Sequence, residues 1–518
     1  MLDAILICPH YDYTQNGQPI PDPGTGEVQD LSMIIPLGIL HIAQYLHDRG
    51  LKVRVIHLPH EMQALQRLGL SIETLNNPIE TILTHYPARV CGIQTHFYLY
   101  TAGATRIAAI YRHLFPDSTI VAGGYMASAC WQEILTAVPG IDGVVLGEGE
   151  KTMETIVAKA ETPTPGFLNT IPGVASRTPE GGLVCNPPRP EHLLALDEMP
   201  VIKPDAPPFR RVAWSRRSFM NISRGLCPQT CAFCVANNRA INPRAFQTMT
   251  IDRILAQLNV YQAHGIQSVF LGENHFLDAA FMRGLIEGIM GENLEMAFEL
   301  ETHPVLFADK TLLRKMVAAG FYRFTMGCES GSNAVLKRVG RQAPTRRFLQ
   351  SVKDVADAGA LAVTSWICNL PGETADEFAE TQAMLRQVVA AGGFVYWIEN
   401  LHVLPGSALH RHPENWRIKR LLNNLEDWFR WSLDSKTYVD PDDARQSPHR
   451  YLTHLNHNTS AQEMMERFFD HRRLARGLVP DMQRNLAERA PRLPPELVRA
   501  ETQTLDWYQA RGWQLLLF

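Results

Sequence analysis

The 518-residue sequence lacks an excess of charge of either sign, because 49 Lys and Arg residues stand against 53 Asp and Glu residues. Nucleic-acid binding as the main task is therefore not indicated. The chain also lacks a run of 18 or more apolar residues, so no segment is predicted to span a bilayer. The first residues have no positive charge ahead of a short apolar run that Asp3 interrupts, so we expect no signal peptide.

The composition is that of a globular protein, with 45% hydrophobic and 20% charged residues over a length that suits three domains. Six of the nine cysteines lie apart from one another in apolar surroundings, as buried and reduced thiols usually do. These six are Cys8, Cys91, Cys130, Cys185, Cys328 and Cys368. A reducing compartment is indicated, and we expect a cytoplasmic protein.

The other three cysteines, Cys227, Cys231 and Cys234, lie within eight residues in the spacing CxxxCxxC. A structural zinc site needs four ligands and disulfides need pairs, whereas three thiolates suit a [4Fe–4S] cluster with one iron left open. The same positions would also share one face of a helix, where they would be core residues. Gly225 and Pro228 favour a loop, and therefore the cluster.

Residues 1–160 alternate strand and helix patterns, which predicts a Rossmann-like, doubly wound parallel sheet. Ligands of such sheets bind at the carboxyl ends of the strands, and glycines there allow a bulky ligand to approach the backbone. Many nucleotide-like ligands would suit such a site. The candidate residues at these strand ends are Thr95, His96, Gly123, Gly124, Gly147, Glu148, Gly149 and Glu150.

Prolines punctuate residues 161–212, which we interpret as a linker with a possible hairpin around Glu180 and Gly181. Residues 213–410 repeat a strand–helix unit six times, which predicts an open, partial (β/α)6 barrel in this α/β protein. Active sites of barrels lie at the C-terminal strand ends. These ends are predicted at the cysteine loop and at residues 272–276, 301–303, 327–331, 369–373 and 404–406.

Residues 411–518 show mostly helical periodicity and no motif that indicates chemistry. Aromatic residues, including Trp428, Trp431 and Trp507, recur in its helical patterns. Such a face usually packs into a core, and the alternative is a lid that selects the substrate. We predict a mostly helical C-terminal domain, with both roles open.

Two parts of the chain resemble known domains. The cysteine spacing, with the aromatic Phe233 just before Cys234, resembles the cluster loop of the radical S-adenosylmethionine enzymes. The first 160 residues resemble the cobalamin-binding domain of class B members of that family, through a Pro-Leu-Gly helix start at residues 36–38, the glycine pair at 123–124 and Gly-Glu-Gly-Glu at 147–150.

The resemblance has one departure. Many cobalamin domains carry Asp-x-His-x-x-Gly after the first strand, so that the histidine replaces the lower cobalt ligand. The corresponding region here reads Cys8-Pro-His10-Tyr-Asp12 and lacks the motif. We therefore expect no histidine below the cobalt, and we interpret His10 and His96 as ordinary loop histidines.

The resemblance implies three cofactors, namely a [4Fe–4S] cluster, S-adenosylmethionine and cobalamin. It assigns the cluster to Cys227, Cys231 and Cys234. The contacts that it implies for S-adenosylmethionine are Phe233, Gly272, Glu273, Asn274, Glu329 and Ser330. A capping carboxylate or hydroxyl is the structural alternative for these polar residues. The strand ends of the first domain would bind cobalamin, and Cys328 is interpreted as a small buried thiol rather than a fourth cluster ligand.

The family logic implies an enzyme in which a reduced cluster cleaves S-adenosylmethionine, the adenosyl radical activates a substrate carbon, and cobalamin supplies a methyl group. We therefore expect a C-methyltransferase for a natural product or peptide, with an external electron donor such as flavodoxin or ferredoxin. The alternatives are a cyclase or ring-rearranging enzyme with the same cofactors, a polar methyltransferase that forms no adenosyl radical, and a non-enzymatic electron or cobalamin carrier. No catalytic side chain is identified from the sequence.

Overall fold

The computed structural model describes residues 1–9, 14–15, 18–19, 36–61, 76–95, 101–210, 212, 214–272, 278–434 and 441–511. Its N-terminal part is built on seven strands. They are β1 (Leu2–Cys8), β2 (Val53–His57), β3 (Ala88–Gln94), β4 (Thr119–Gly123), β5 (Gly143–Val145), β6 (Val174–Arg177) and β7 (Leu183–Asn186). The sheet order is β2-β1-β3-β4-β5-β6-β7. The first five strands pair in parallel, whereas β6 and β7 extend the sheet as an antiparallel hairpin.

Helices cover both faces of the parallel part of this sheet. They are α1 (Leu37–His47), α2 (Asn76–Leu83), α3 (Thr101–Leu114), α4 (Tyr125–Ala129), α5 (Trp131–Ala137) and α6 (Glu150–Lys159). Alternate residues of β1 enter different cores, because Ala4 and Leu6 belong to one apolar cluster and Ile5 and Ile7 to the other. A strand buried on both faces explains why β1 reads as a continuous apolar run.

The second part is an open barrel of six parallel strands. They are β8 (Arg217–Asn221), β9 (Ser268–Gly272), β10 (Ala297–Glu301), β11 (Phe321–Glu329), β12 (Leu361–Cys368) and β13 (Phe394–Asn400), paired in chain order. The helices between them are α7 (Ile251–Ala263), α8 (Ala279–Gly291), α9 (Lys310–Ala318), α10 (Asn333–Arg338), α11 (Thr345–Asp357) and α12 (Ala375–Ala390). The predicted fold class, a doubly wound sheet followed by a partial barrel, is confirmed.

The C-terminal part is mostly helical, as predicted. Its elements are α13 (Ala408–Arg411), β14 (Ile418–Arg420), α14 (Leu425–Asp434), α15 (Pro441–Gln446), β15 (His454–Asn456), α16 (Ala461–Gly477), α17 (Val479–Arg489) and α18 (Pro495–Arg511). The remaining short 3₁₀ turns are Phe167–Thr170, Pro190–His192, Leu196–Glu198, Pro207–Phe209, Pro304–Ala308, Pro413–Trp416, Pro448–Arg450 and Ala490–Arg492.

This C-terminal part joins the two preceding ones. Trp428 and Trp431 of α14 are buried in the apolar core of the N-terminal domain. Glu501 of α18 is buried in the barrel, where its carboxylate accepts hydrogen bonds from Arg323 at 2.8 Å and from the Tyr396 hydroxyl at 2.9 Å. The aromatic face of α14 therefore packs into a core. Among the described residues, no helix combines the length and apolar character that a membrane crossing requires.

Candidate active site

The three clustered cysteines lie on a loop that two short strands close at its base. Ser223–Arg224 pairs with Gln247–Thr248 in an antiparallel ribbon. Gly225 has a φ of +99°, and a Cβ there would collide with the Ala245 carbonyl, so only glycine fits. No helix spans residues 225–246, so the three cysteines do not form one buried face of a helix.

The loop places three thiols near one another in a protected setting. Cys231 is buried, and Cys227 and Cys234 are half-buried. Burial raises the pKa of all three thiols, and for Cys234 burial together with the charges of Cys231 and Cys227 raises the pKa to about 12. In the described ranges, no three His, Cys, Asp or Glu side chains converge as a single metal ion requires. A [4Fe–4S] cluster instead receives each thiolate at a different iron, so spaced thiols suit it.

Arg341 supplies a positive charge at this loop. Its Nη1 atom lies 3.9 Å from Cys231 Sγ, and its Nη2 atom donates to the Gly327 carbonyl at 2.5 Å. The guanidinium opposes the effect of burial on the Cys231 pKa, because it stabilises the thiolate. A thiolate-bound cluster carries negative charge, so this donor set and its neighbouring cation fit the cluster.

Glu329 lies beside Arg341 at the end of β11. The pKa of Glu329 is raised to about 7, because burial and the charge of Glu301 raise it by more than Arg341 lowers it. Its backbone has a φ of +64°, which is uncommon for a residue other than glycine. A Cβ on Gly327 would collide with the Glu329 carboxylate, so the glycine in this strand end makes room for the acid.

The other residues predicted to contact S-adenosylmethionine do not all reach the same space. Gly272 ends β9 and lines the cavity described below, whereas Glu273 and Asn274 lie outside the described residues. Phe233 is half-buried and packs against a small apolar cluster. The buried Ser330 hydroxyl lies 3.1 Å from Thr381 Oγ1 and accepts a hydrogen bond from the Ser332 N–H at 3.1 Å. This hydroxyl is thus engaged within the fold.

A cavity of about 530 Å³ lies between the N-terminal sheet and the barrel. From the sheet, its wall contains six of the eight predicted strand-end residues. These six are Gly123, Gly124, Gly147, Glu148, Gly149 and Glu150. From the barrel, its wall contains Cys234 of the cysteine loop and Glu301 at the end of β10. The structure therefore brings the two predicted ligand sites to one space.

Backbone conformation explains the glycine at position 124 of this wall, and close packing favours the one at position 149. Gly124 has a φ of +118° and a ψ of −177°, a conformation that is essentially restricted to glycine. A Cβ on Gly149 would lie 2.9 Å from Ile42 Cδ1. A flat, side-chain-free wall at the carboxyl ends of parallel strands fits a large planar cofactor such as cobalamin.

The two remaining predicted strand-end residues are Thr95 and His96. Thr95 is buried behind the wall, where its N–H donates to the Gly123 carbonyl at 2.6 Å. His96 and His10 lie outside the described residues. No histidine lines the cavity within the part of the chain that the structure describes, and the absence of a lower histidine ligand stays a prediction.

Several wall residues did not stand out in the sequence. They include Gln94, Tyr125, Ser128, Phe219, Asn221, Arg224 and Asn242. The Gln94 side-chain oxygen is buried and has no hydrogen-bond partner among the described residues, which suits an amide that meets a bound ligand. The signal for Gln94 in the sequence is its position just before Thr95, because the carboxyl ends of parallel strands face the ligand.

The predicted strand end at residues 369–373 is covered by the C-terminal part rather than open to the cavity. The Asn369 amide donates to Asn400 Oδ1 at 2.7 Å and to the Met464 carbonyl at 2.8 Å. The His454 ring lies 3.2 Å from the Asn369 carbonyl. The polar groups at this strand end therefore anchor α16 and the β14–β15 ribbon.

Glu373 in this covered segment gives a testable effect on stability. Burial raises its pKa to about 7, so the folded state favours the neutral carboxyl. Between pH 4.5, the ordinary pKa of a glutamate, and about pH 7, the unfolded chain loses the proton first, so the unfolding free energy falls as pH rises. We expect Glu373→Gln to remove this loss, which is on the order of 1–3 kcal/mol at pH 8.

Thermal unfolding of both proteins from pH 5 to pH 8 measures this effect. As pH rises, the thermal unfolding midpoint of the Glu373→Gln variant should increase relative to that of the unchanged protein. Glu380→Gln, at an exposed position on α12, is the matched control and should give a constant difference. A constant difference for Glu373→Gln as well would contradict the prediction.

The two candidate ligand sites, one on a sheet and one on an open barrel, fit a class of enzyme that combines cobalamin with a radical-generating cluster. Comparison with known families agrees. Residues 221–385 match the Radical SAM superfamily and residues 31–157 match the B12 binding domain. The chain belongs to the radical S-adenosylmethionine enzymes that carry a cobalamin-binding domain. Its cofactors are a [4Fe–4S] cluster, S-adenosylmethionine and cobalamin, as predicted.

Individual relatives are distant. The anaerobic magnesium-protoporphyrin IX monomethyl ester cyclase of Synechocystis is 24% identical over 367 residues, with 67% of each chain covered. The radical S-adenosylmethionine methyltransferase TsrM from Kitasatospora setae has a TM-score of 0.63 at 16% identity, covering 79% of this chain and 77% of that one. The cobalamin-dependent S-adenosylmethionine radical enzyme OxsB has a TM-score of 0.66 at 14% identity, covering 99% of this chain and 85% of that one. These two similarities establish the shared fold.

Proposed function

We propose that this enzyme is a C-methyltransferase that methylates a carbon of a small natural product or a peptide. The observation that carries the proposal is a cavity whose walls come both from the cobalamin-domain strand ends and from the cysteine loop. A substrate in this space would face the methyl carrier on one side and the source of the radical on the other. Holding reactants in such proximity is a main contribution of the protein to catalysis.

The residues proposed to hold the three groups are those that the resemblance in the sequence implies. Cys227, Cys231 and Cys234 would ligate the cluster. S-adenosylmethionine would bind beside it, at Phe233, Gly272, Glu273, Asn274, Glu329 and Ser330. The glycine wall and its neighbours would hold cobalamin. When bound, these groups supply a carbon-centred radical and a methyl group for it, and the protein supplies orientation and insulation.

The chain's own side chains have distinct tasks in this arrangement. Arg341 would balance the negative charge of the cluster-bound thiolates through its contact with Cys231. Glu301 brings a carboxylate to the cavity wall, where it would hold a cationic ligand group, and Glu329 is close enough for the Glu301 charge to raise its pKa. Apolar wall residues such as Phe219, Ile241 and Phe270 exclude water. Exclusion of water protects a reactive intermediate from side reactions.

The structural neighbour TsrM is a methyltransferase, which supports methyl transfer. The cyclase relative favours a second candidate function, cyclisation. With the same cofactors, the enzyme would then close or rearrange a ring without methylating it. In either case an external one-electron donor, such as flavodoxin or ferredoxin, would reduce the cluster.

One experiment separates these functions. The reduced, reconstituted enzyme is incubated with methyl-labelled S-adenosylmethionine and the small-molecule and peptide fraction of the cells that produce it. A C-methyltransferase should yield 5′-deoxyadenosine and one labelled product. Formation of 5′-deoxyadenosine with no label in any product would refute methyl transfer and support the cyclase. A labelled product without 5′-deoxyadenosine would indicate polar methylation.

A further inference from the structure

Two glutamates of the cavity wall form ion pairs that cross from the N-terminal domain to the barrel. Glu148 accepts hydrogen bonds from Arg244 Nε and Nη2, both at 2.5 Å, and from Arg224 Nη1 at 3.2 Å. Glu150 accepts a hydrogen bond from Arg224 Nη2 at 2.9 Å. We call Glu148, Glu150, Arg224 and Arg244 the interdomain clamp. Its four side chains are between 3% and 12% exposed.

The two arginines flank the cysteine loop in the sequence and meet at its base. Arg224 lies three residues before Cys227, and the Arg244 carbonyl accepts a hydrogen bond from the Leu226 N–H at 3.0 Å. The arginines of the clamp therefore lie at both ends of the loop that holds the candidate cluster ligands, not in a remote part of the barrel.

The two glutamates belong to the turn that lines the cavity from the other side. Gly147, which starts this turn, has a φ of +66°, and a Cβ there would lie 3.0 Å from Pro243 Cδ and 3.1 Å from the Ile241 carbonyl. Pro243 and Ile241 belong to the far end of the cysteine loop. The turn and the loop are thus in direct backbone-level contact, and the clamp joins them.

Stabilisation of the fold does not by itself explain a buried cluster of four charged side chains. The desolvation of buried charges offsets most of their attraction, so buried ion pairs contribute little net stability compared with apolar packing. What they do provide is orientation, because a bidentate arginine–carboxylate pair has a restricted geometry. The clamp fixes the orientation of the Gly-Glu-Gly-Glu turn relative to the cysteine loop, and each of these segments faces a different cofactor site.

We propose that the interdomain clamp sets the distance between cobalamin and the iron–sulfur cluster. Glu148, Glu150, Arg224 and Arg244 act as positioning residues through the turn and the loop that carry them. This inference rests on the proposed function, in which both cofactors face one substrate. A shift of about 1 Å between reacting groups is enough to reduce rates about 100-fold.

The distance between the cofactors can be measured without a substrate. In the fully reconstituted protein, cob(II)alamin and the reduced cluster are both paramagnetic, and pulsed dipolar EPR measures their separation. We expect one narrow distance distribution in the unchanged protein. Glu148→Gln and Arg244→Gln should each shift or broaden it. The double variant should be no broader than the worse single one, since both changes break the same interaction.

The matched control is Asp142→Asn, which removes an ion pair with Arg112 (2.6 Å) inside the N-terminal domain. It should keep the narrow distribution. Wild-type distributions in both clamp variants, with both cofactors bound, would overturn the proposal and leave the proposed function intact. An equal broadening in Asp142→Asn would also overturn the proposal, because the loss of any ion pair would then loosen the protein to the same extent.

Two further outcomes remain decisive. Unchanged protein that binds no cobalamin or no cluster would overturn the proposed function itself. If the Gln variants do not fold, Arg244→Lys decides, because lysine keeps the charge but cannot bond the carboxylate in a bidentate fashion. A broadened distribution in Arg244→Lys supports positioning by the clamp, and an unchanged one refutes it.

Discussion

Replacing any one of Cys227, Cys231 and Cys234 with alanine is expected to abolish the iron–sulfur cluster and all turnover. Each thiolate would bind its own iron, and the described neighbourhood holds no spare thiol on the loop to take its place. Iron content should fall from about four atoms per chain to near zero. Cleavage of S-adenosylmethionine should fall to the background of the assay, because the electron that starts it passes through the cluster.

Cys328→Ala is the matched control for these variants. Cys328 lies next to Glu329 and is fully buried, so the substitution removes a thiol close to the site without touching the loop. It should retain the cluster and cost about 1 kcal/mol or less in stability. Full iron content in any loop variant would refute the ligand assignment, and iron loss in Cys328→Ala would make Cys328 a ligand.

The second large effect is expected at the glycine wall. Gly124→Val should reduce cobalamin binding at least about tenfold, a change that corresponds to 1.4 kcal/mol. The backbone at φ +118° is strained by a β-branched residue by about 1–3 kcal/mol. Relief of the strain moves the wall, and the new side chain enters the cavity that Gly124 lines. The cobalamin absorbance that remains with the protein after reconstitution and desalting measures the loss.

Gly50→Val is the control that distinguishes a loss of cobalamin binding at the wall from the general effect of backbone strain. Gly50 also has a positive φ, +81°, but it follows α1 at an exposed position with nothing within 4 Å of a new Cβ. This variant should lose stability and keep full cobalamin occupancy. Equal occupancy in the unchanged protein and in Gly124→Val would count against cobalamin binding at this wall.

Much of the architecture could be predicted because it is encoded locally. The apolar run of β1, the helix start at Pro36 and the repeated strand–helix units follow from periodicity within short windows. The cysteine spacing is likewise a property of eight consecutive residues. The carboxyl ends of parallel strands share one edge of a sheet, so the sequence predicts that Gly123 and Gly147 lie close together.

Other parts could not be predicted, because they depend on how distant segments meet. The Gly-Glu-Gly-Glu turn was predicted to bind cobalamin, and the turn does line the cavity. The carboxylates of Glu148 and Glu150, however, pair with Arg224 and Arg244, about 75 to 100 residues away in the chain. Similarly, α14 inserts Trp428 into the N-terminal core, although barrel residues separate the two in sequence.

The sequence by itself determined the order of the domains, the ligand chemistry of the cysteine loop and the glycine wall, because spacing and periodicity are local properties. Only the tertiary structure decided that loop and wall enclose one cavity and that four charged residues join them. Ion pairs and domain contacts are selected by three-dimensional packing, and no short window of sequence contains that information.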